Sequence, residues 1–67
     1  MNVNSRIVLD YLSSYFKNNK KPLTVFDINI AGLSIAEVEN AFEELYESGY
    51  IILNDKYIYP SVEGLAK

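Results

Sequence analysis

At Gly49 the spacing of apolar residues changes from a period of about 3.6 to a period of 2, and this switch constrains the fold most. Before it, Val8, Tyr11, Leu12, Tyr15 and Phe16 recur at three- and four-residue intervals, which predicts a helix from about Ser5 to Lys17 with Asn4 or Ser5 as N-cap. Pro22 disfavours helical geometry at Lys21 and ends that segment. Thr24, with Asp27 three residues on, predicts a short second helix with Phe26 and Ile30 on one face, Leu23 and Leu33 flanking, and Gly32 at its end. Ser34-Ile35-Ala36-Glu37 is a full capping box. It predicts a third helix whose apolar face is Ile35, Val38, Ala41, Phe42, Leu45 and Tyr46, closed by Gly49.

Beyond Gly49, Tyr50-Ile51-Ile52-Leu53 and Tyr57-Ile58-Tyr59 are β-branched and aromatic, and Asn54-Asp55-Lys56 between them tolerates hairpin geometry. Pro60 closes the second strand, and Ser61–Lys67 suits the start of another helical turn. A two-stranded hairpin is marginal alone in water, so it must lie on the helices. The expected fold is therefore α+β, mostly α: three helices followed by a C-terminal two-stranded β-hairpin. With 67 residues the chain allows one domain, residues 1–67. A chain this short buries only about 60% of the surface it exposes when unfolded.

Composition narrows the chemistry. The chain has no cysteine and no histidine, which removes disulfides, thiolate nucleophiles, imidazole catalysis and the usual zinc sites together. A secreted domain of this size normally needs disulfide staples, so a reducing cytoplasm is expected. The longest apolar run, Tyr50–Leu53, is far short of the roughly 20 residues of a membrane span, and the N-terminus lacks the order of a signal peptide. Ser13, Ser14, Ser34 and Ser61 have no histidine to act as base, and no glycine-rich phosphate loop is present. Glu39 and Glu43 share an exposed helix side without a pocket to tune their acidity. These features predict a non-catalytic protein with no cofactor and no metal. Asn, Lys, Ile, Tyr and Phe make up 28 of the 67 residues, a bias toward AT-rich coding found in mobile elements among other sources.

The order of elements resembles a winged-helix domain, a helix-turn-helix followed by a β-hairpin wing. Leu23–Ile28 through Gly32-Leu33-Ser34 is similar to that family's second helix and turn. Glu37-Val38-Glu39 through Leu45–Ile51 is similar to its recognition helix running into the wing. Tyr59-Pro60-Ser61-Val62-Glu63-Gly64 is similar to the run after the wing in bacterial regulators of the multiple-antibiotic-resistance type. Those regulators carry long additional dimerisation helices, which these 67 residues do not include. The resemblance implies a three-helix winged helix-turn-helix whose third helix would ordinarily enter the DNA major groove.

The charge pattern departs from that expectation. Residues 1–21 hold Arg6, Lys17, Lys20 and Lys21 against Asp10, whereas residues 22–55 contain no Lys or Arg and carry seven carboxylates. The third helix alone has Glu37, Glu39, Glu43, Glu44 and Glu47. Glu39/Glu43 and Glu43/Glu47 are like-charge i,i+4 pairs, each costing about 0.2–0.5 kcal/mol. Carboxylates facing a phosphate array oppose the neutralisation on which DNA affinity rests. Such a run can serve simply as a solvated face. As a functional surface it predicts docking on a basic, larger protein of a DNA-processing or transcription machine, through Glu37, Asn40, Glu43, Glu44, Glu47, Tyr57 and Tyr59.

Alternation leaves two arrangements for the hairpin: either Tyr57 and Tyr59 cover the edge of the core, or Ile58 is buried and the tyrosines form an exposed patch. The alternative function is a small DNA-binding regulator that contacts phosphates through Lys17, Lys20, Lys21 and Lys56. A third reading is a DNA-mimic inhibitor using the same acidic helix.

Overall fold

In the first segment the apolar spacing produces α1 (Val3–Asn18), two residues longer at its start and one at its end than the spacing alone indicates. Asn2, not Asn4 or Ser5, is the N-cap: its Oδ1 accepts from the Ser5 backbone N–H at 2.8 Å. Ser5 is instead fully buried on the inner face of the helix beside Val8 and Leu12. A computed structural model describes residues 2–60, so the helical turn expected over Ser61–Lys67, and the part of the Tyr59–Gly64 run beyond Pro60, lie outside the described residues.

The predicted second helix is the main correction. Only a single 3-10 turn forms, Val25–Asp27, so the described residues contain two α-helices and not three. Asp27 accepts from the Thr24 backbone N–H at 2.9 Å and from the Thr24 hydroxyl at 3.0 Å, which closes one turn and no more. Val25, Ile28 and Ile30 are β-branched and lose rotamer freedom in a helix, and a segment this short cannot offset the cost of nucleation. The expected face is likewise reversed: Leu23, Val25 and Ile28 are buried, Ile30 is half-buried, and Phe26 is 75% exposed.

The capping box at Ser34 forms as its spacing predicts and starts α2 (Ile35–Glu47). Ser34 Oγ accepts from the Glu37 N–H at 3.2 Å, and the Glu37 carboxylate accepts from the Ser34 N–H at 3.0 Å. Val38, Ala41, Phe42 and Leu45 form the buried stripe, while Ile35 and Tyr46, expected on it, are each about half exposed. Both lie at the margin of a stripe that four residues already fill. The helix ends where Gly49 adopts φ +82°, with Tyr50 N–H donating to the Leu45 carbonyl and Gly49 N–H to that of Tyr46. This paired arrangement satisfies two otherwise orphaned carbonyls, and a glycine adopts its left-handed backbone at least cost.

After that turn the period-2 segment forms β1 (Ile51–Asn54) and β2 (Tyr57–Pro60), paired antiparallel with Leu53 opposite Ile58 and Asn54 opposite Tyr57. The loop is therefore two residues, Asp55 and Lys56, with Asp55 at φ +59°. Ile51 and Ile58 point to the helices and are buried. Ile58 also bridges Leu23: Leu23 N–H donates to the Ile58 carbonyl at 3.1 Å, and Ile58 N–H to the Leu23 carbonyl at 2.7 Å. That pairing fastens the segment after α1 to the far side of the hairpin and satisfies strand groups that would otherwise be unpaired. One core cluster joins all elements, from Val8 and Leu12 through Leu23, Val25, Ile28, Val38, Ala41, Phe42 and Leu45 to Ile51 and Ile58. The result is a mostly helical α+β arrangement with a C-terminal hairpin, compatible with a winged-helix-like order. No helix among the described residues is long and apolar enough to cross a membrane.

Candidate interaction surface

The five carboxylates of α2 divide by geometry into two groups. Glu37 and Glu44 turn toward the start of α1. The second carboxylate oxygen of Glu37 accepts from Asn4 Nδ2 at 3.1 Å, and Glu44 accepts from the Asn2 backbone N–H at 3.1 Å and from its side-chain amide at 3.4 Å. Two negative charges at the positive end of α1 are favourably placed, so these residues tie the two helices together. Glu39, Glu43 and Glu47, with Asn40 between them, face solvent. Among the described residues the only ion pair is Arg6–Asp10 at 3.7 Å on α1, so none of these three carboxylates has a cation within 4.0 Å there. No basic residue occupies the last turn of α2, where the helix dipole would favour one.

Hydrogen bonding, first from the Ser34 backbone, then from its hydroxyl, lowers the Glu37 carboxyl below its ordinary value, with Asn4 adding to the effect. Asp27 is lowered likewise by the Thr24 backbone and hydroxyl, with a smaller contribution from the nearby charge of Lys21. A carboxylate with a depressed folded pKa stabilises the fold in full above its unfolded value, and that contribution is lost as pH falls through the folded value. The melting temperature should therefore fall as pH drops below about 4.5, the ordinary glutamate value. Glu37→Gln with Asp27→Asn should flatten that dependence in thermal melts taken across the acid range; an unchanged slope would remove these two caps as its source.

The hairpin adopts the second of its two arrangements. Ile58 is fully buried, and Tyr57 and Tyr59 share the outer face with Ile52, Tyr57 exposed and Tyr59 half-buried. The Lys56 ammonium lies 5.7 Å from the centre of the Tyr57 ring, within range of a cation–π contact. The basic residues do not gather in one place. Lys17, Lys20 and Lys21 are exposed at the end of α1 and in the loop after it. Because Leu23 pairs antiparallel with Ile58, the chain runs from Lys21 on the Pro60 side of β2 to Val25 on the Lys56 side. Lys56 thus belongs to the opposite end of the hairpin from the other three lysines.

At that end the structure forms a cleft of about 300 Å³ between the 3-10 turn, α2 and the hairpin tip, lined by Val25, Phe26, Leu53, Glu39, Glu43, Asp55 and Lys56. Charge arithmetic along the sequence does not reveal it, because Phe26 is read there as part of a helix face shared with Ile30 and Leu53 only as a strand residue. A ring left three-quarters in water forgoes about 1–2 kcal/mol of burial. A broader depression of about 510 Å³ on the outside of α1, lined by Asp10, Tyr11, Ser14 and Tyr15, gathers none of the expected binding residues. No three acidic side chains among the described residues converge as metal ligands. Set against known proteins, the chain matches no family model, no curated protein and no solved structure.

Proposed function

We propose that the chain is a non-catalytic winged-helix module, akin to the DNA-binding part of the multiple-antibiotic-resistance regulators, that acts by docking on a larger protein of a DNA-processing or transcription machine. The solvent face of α2 and the tyrosine-bearing hairpin form the contact. The observation that carries this reading is the row Glu39, Glu43 and Glu47, exposed and without an ion-pair partner among the described residues, on a helix with no Lys or Arg. The order of elements, the two-residue hairpin loop and the Leu23–Ile58 bridge support the winged-helix frame.

DNA contact through Lys17, Lys20, Lys21 and Lys56 draws less support, since the lysines lie toward opposite ends of β2. The test is affinity capture from the native host with the intact chain, comparing wild type, Glu39→Gln/Glu43→Gln/Glu47→Gln and Lys17→Ala/Lys20→Ala/Lys21→Ala. A protein partner retained by the lysine variant and weakened about tenfold or more by the glutamine variant is expected, as removing charges from a rim and its core weakens complexes on this scale. Equal retention by both would overturn the reading. Release of the partner by excess duplex would favour DNA mimicry over ordinary docking.

A further inference from the structure

The cleft at the hairpin tip joins two features that no single element carries. Its apolar part is Val25, Phe26 and Leu53, with Phe26 75% exposed on the 3-10 turn. Its rim is Glu39 and Glu43 on one wall and Asp55 on the other, and no cation lies within 4.0 Å of these carboxylates among the described residues. The one lysine at the cleft among the described residues, Lys56, has its ammonium beside the Tyr57 ring.

We propose that this cleft is the anchor point of the docking surface: it takes one apolar side chain of a partner protein's basic segment, seated on Phe26, Val25 and Leu53, with flanking Lys or Arg on Glu39, Glu43 and Asp55. This rests on the docking reading above and specifies its partner. Charge complementarity selects the occupant. An acidic rim repels nucleic acid, and the apolar floor rewards a hydrophobic anchor that a purely polar cation lacks. An anchor residue in a pocket surrounded by charged groups that exclude water is how the binding energy of an interface concentrates. A second copy of the chain is a poor fit, because its one basic run, Lys17-Asn18-Asn19-Lys20-Lys21, contains no apolar side chain.

The full chain, labelled with ¹⁵N, is titrated with three peptides of about ten residues: alternating Lys and Ser with a central Trp, the same with a central Ala, and the Trp peptide with Glu replacing Lys. Amide shifts centred on Val25, Phe26, Leu53 and Lys56 are expected with the first peptide. Its affinity should exceed that of the Ala peptide by about tenfold, the usual worth of one buried anchor. The Glu peptide should not bind. Phe26→Ala, a change at an exposed position whose fold the same spectra verify, should erase the Trp advantage while leaving the Ala peptide unaffected. Glu39→Gln/Glu43→Gln should weaken both cationic peptides.

Equal affinity for the Trp and Ala peptides, or shifts confined to Asn40 and Glu47, would overturn the anchor while leaving docking by the acidic face intact. Failure of both cationic peptides to bind would overturn both. Shifts that depend on the chain's own concentration would assign the cleft to self-association and overturn the proposal as well.

Discussion

Leu45→Ala is expected to lower the melting temperature by about 8–40 °C. Leu45 is fully buried where α2 meets the rest of the core, and its carbonyl also accepts the Tyr50 N–H that turns the chain into the hairpin. Truncating a buried leucine costs about 2–5 kcal/mol, the larger values where the surroundings cannot collapse into the space. A domain of 67 residues has about 3–10 kcal/mol of total stability. The loss is thus comparable with everything the fold has. Circular dichroism should show that fall in melting temperature, and at the upper end of the range no cooperative transition above 25 °C. Ile52→Ala, on the exposed outer face of the hairpin, should change stability by only about 0.5 kcal/mol and serves as the control. Comparable melting of the two variants would refute the assignment of the core.

The second large effect concerns charge. Glu39→Lys/Glu43→Lys/Glu47→Lys should confer DNA binding that the wild-type acidic face opposes. Each replacement changes the formal charge by two, so the three together take the net charge from −3 to +3. They do so on the face that a winged-helix frame turns toward the groove. At about 4 Å in water each charge contact is worth about 1 kcal/mol, and reversal exchanges a repulsion for an attraction. Three contacts should bring non-specific affinity into the range of about 10–100 µM at about 50 mM salt. Release of about three counterions should then weaken it by about 40-fold at about 200 mM salt. Fluorescence anisotropy of labelled duplex gives the answer directly. Wild-type binding of the same strength would move the function to Lys17, Lys20 and Lys21. Silence from both proteins would mean that α2 is not presented to DNA, and the winged-helix frame would fail.

These two results probe parts of the molecule that differ in how legibly they are written. The stripe Val38, Ala41, Phe42 and Leu45 follows from spacing, because a helix places those positions on one side whatever lies opposite. The capping box at Ser34 and the glycine turn at Gly49 are equally local, each depending on hydrogen bonds within six residues. The segment from Thr24 to Ile30 is not legible in this way. Its apolar residues fit a helix on paper, yet Leu23 is drawn into pairing with Ile58, thirty-five residues away, and only one 3-10 turn remains. The same periodicity places Ile35 and Tyr46 on the apolar face, yet both are about half exposed, because a stripe's width is set by what packs on it.

The candidate surface divides similarly. The absence of cysteine and histidine chemistry, the period switch at Gly49, the caps of α2 and the crowding of carboxylates on that helix are all legible along the chain. All are properties of composition or of neighbours within a few turns. Packing of α2 against α1 is what ties Glu37 and Glu44 to Asn4 and Asn2 and leaves Glu39, Glu43 and Glu47 facing water. Tertiary structure alone separates Lys56 from Lys17, Lys20 and Lys21 and sets Phe26 beside Leu53 and the carboxylates of Glu39, Glu43 and Asp55. The reason is physical: a side chain's charge and local turn are encoded beside it, whereas its neighbours across the core depend on which distant segment buries the most apolar surface at the least cost in unpaired backbone.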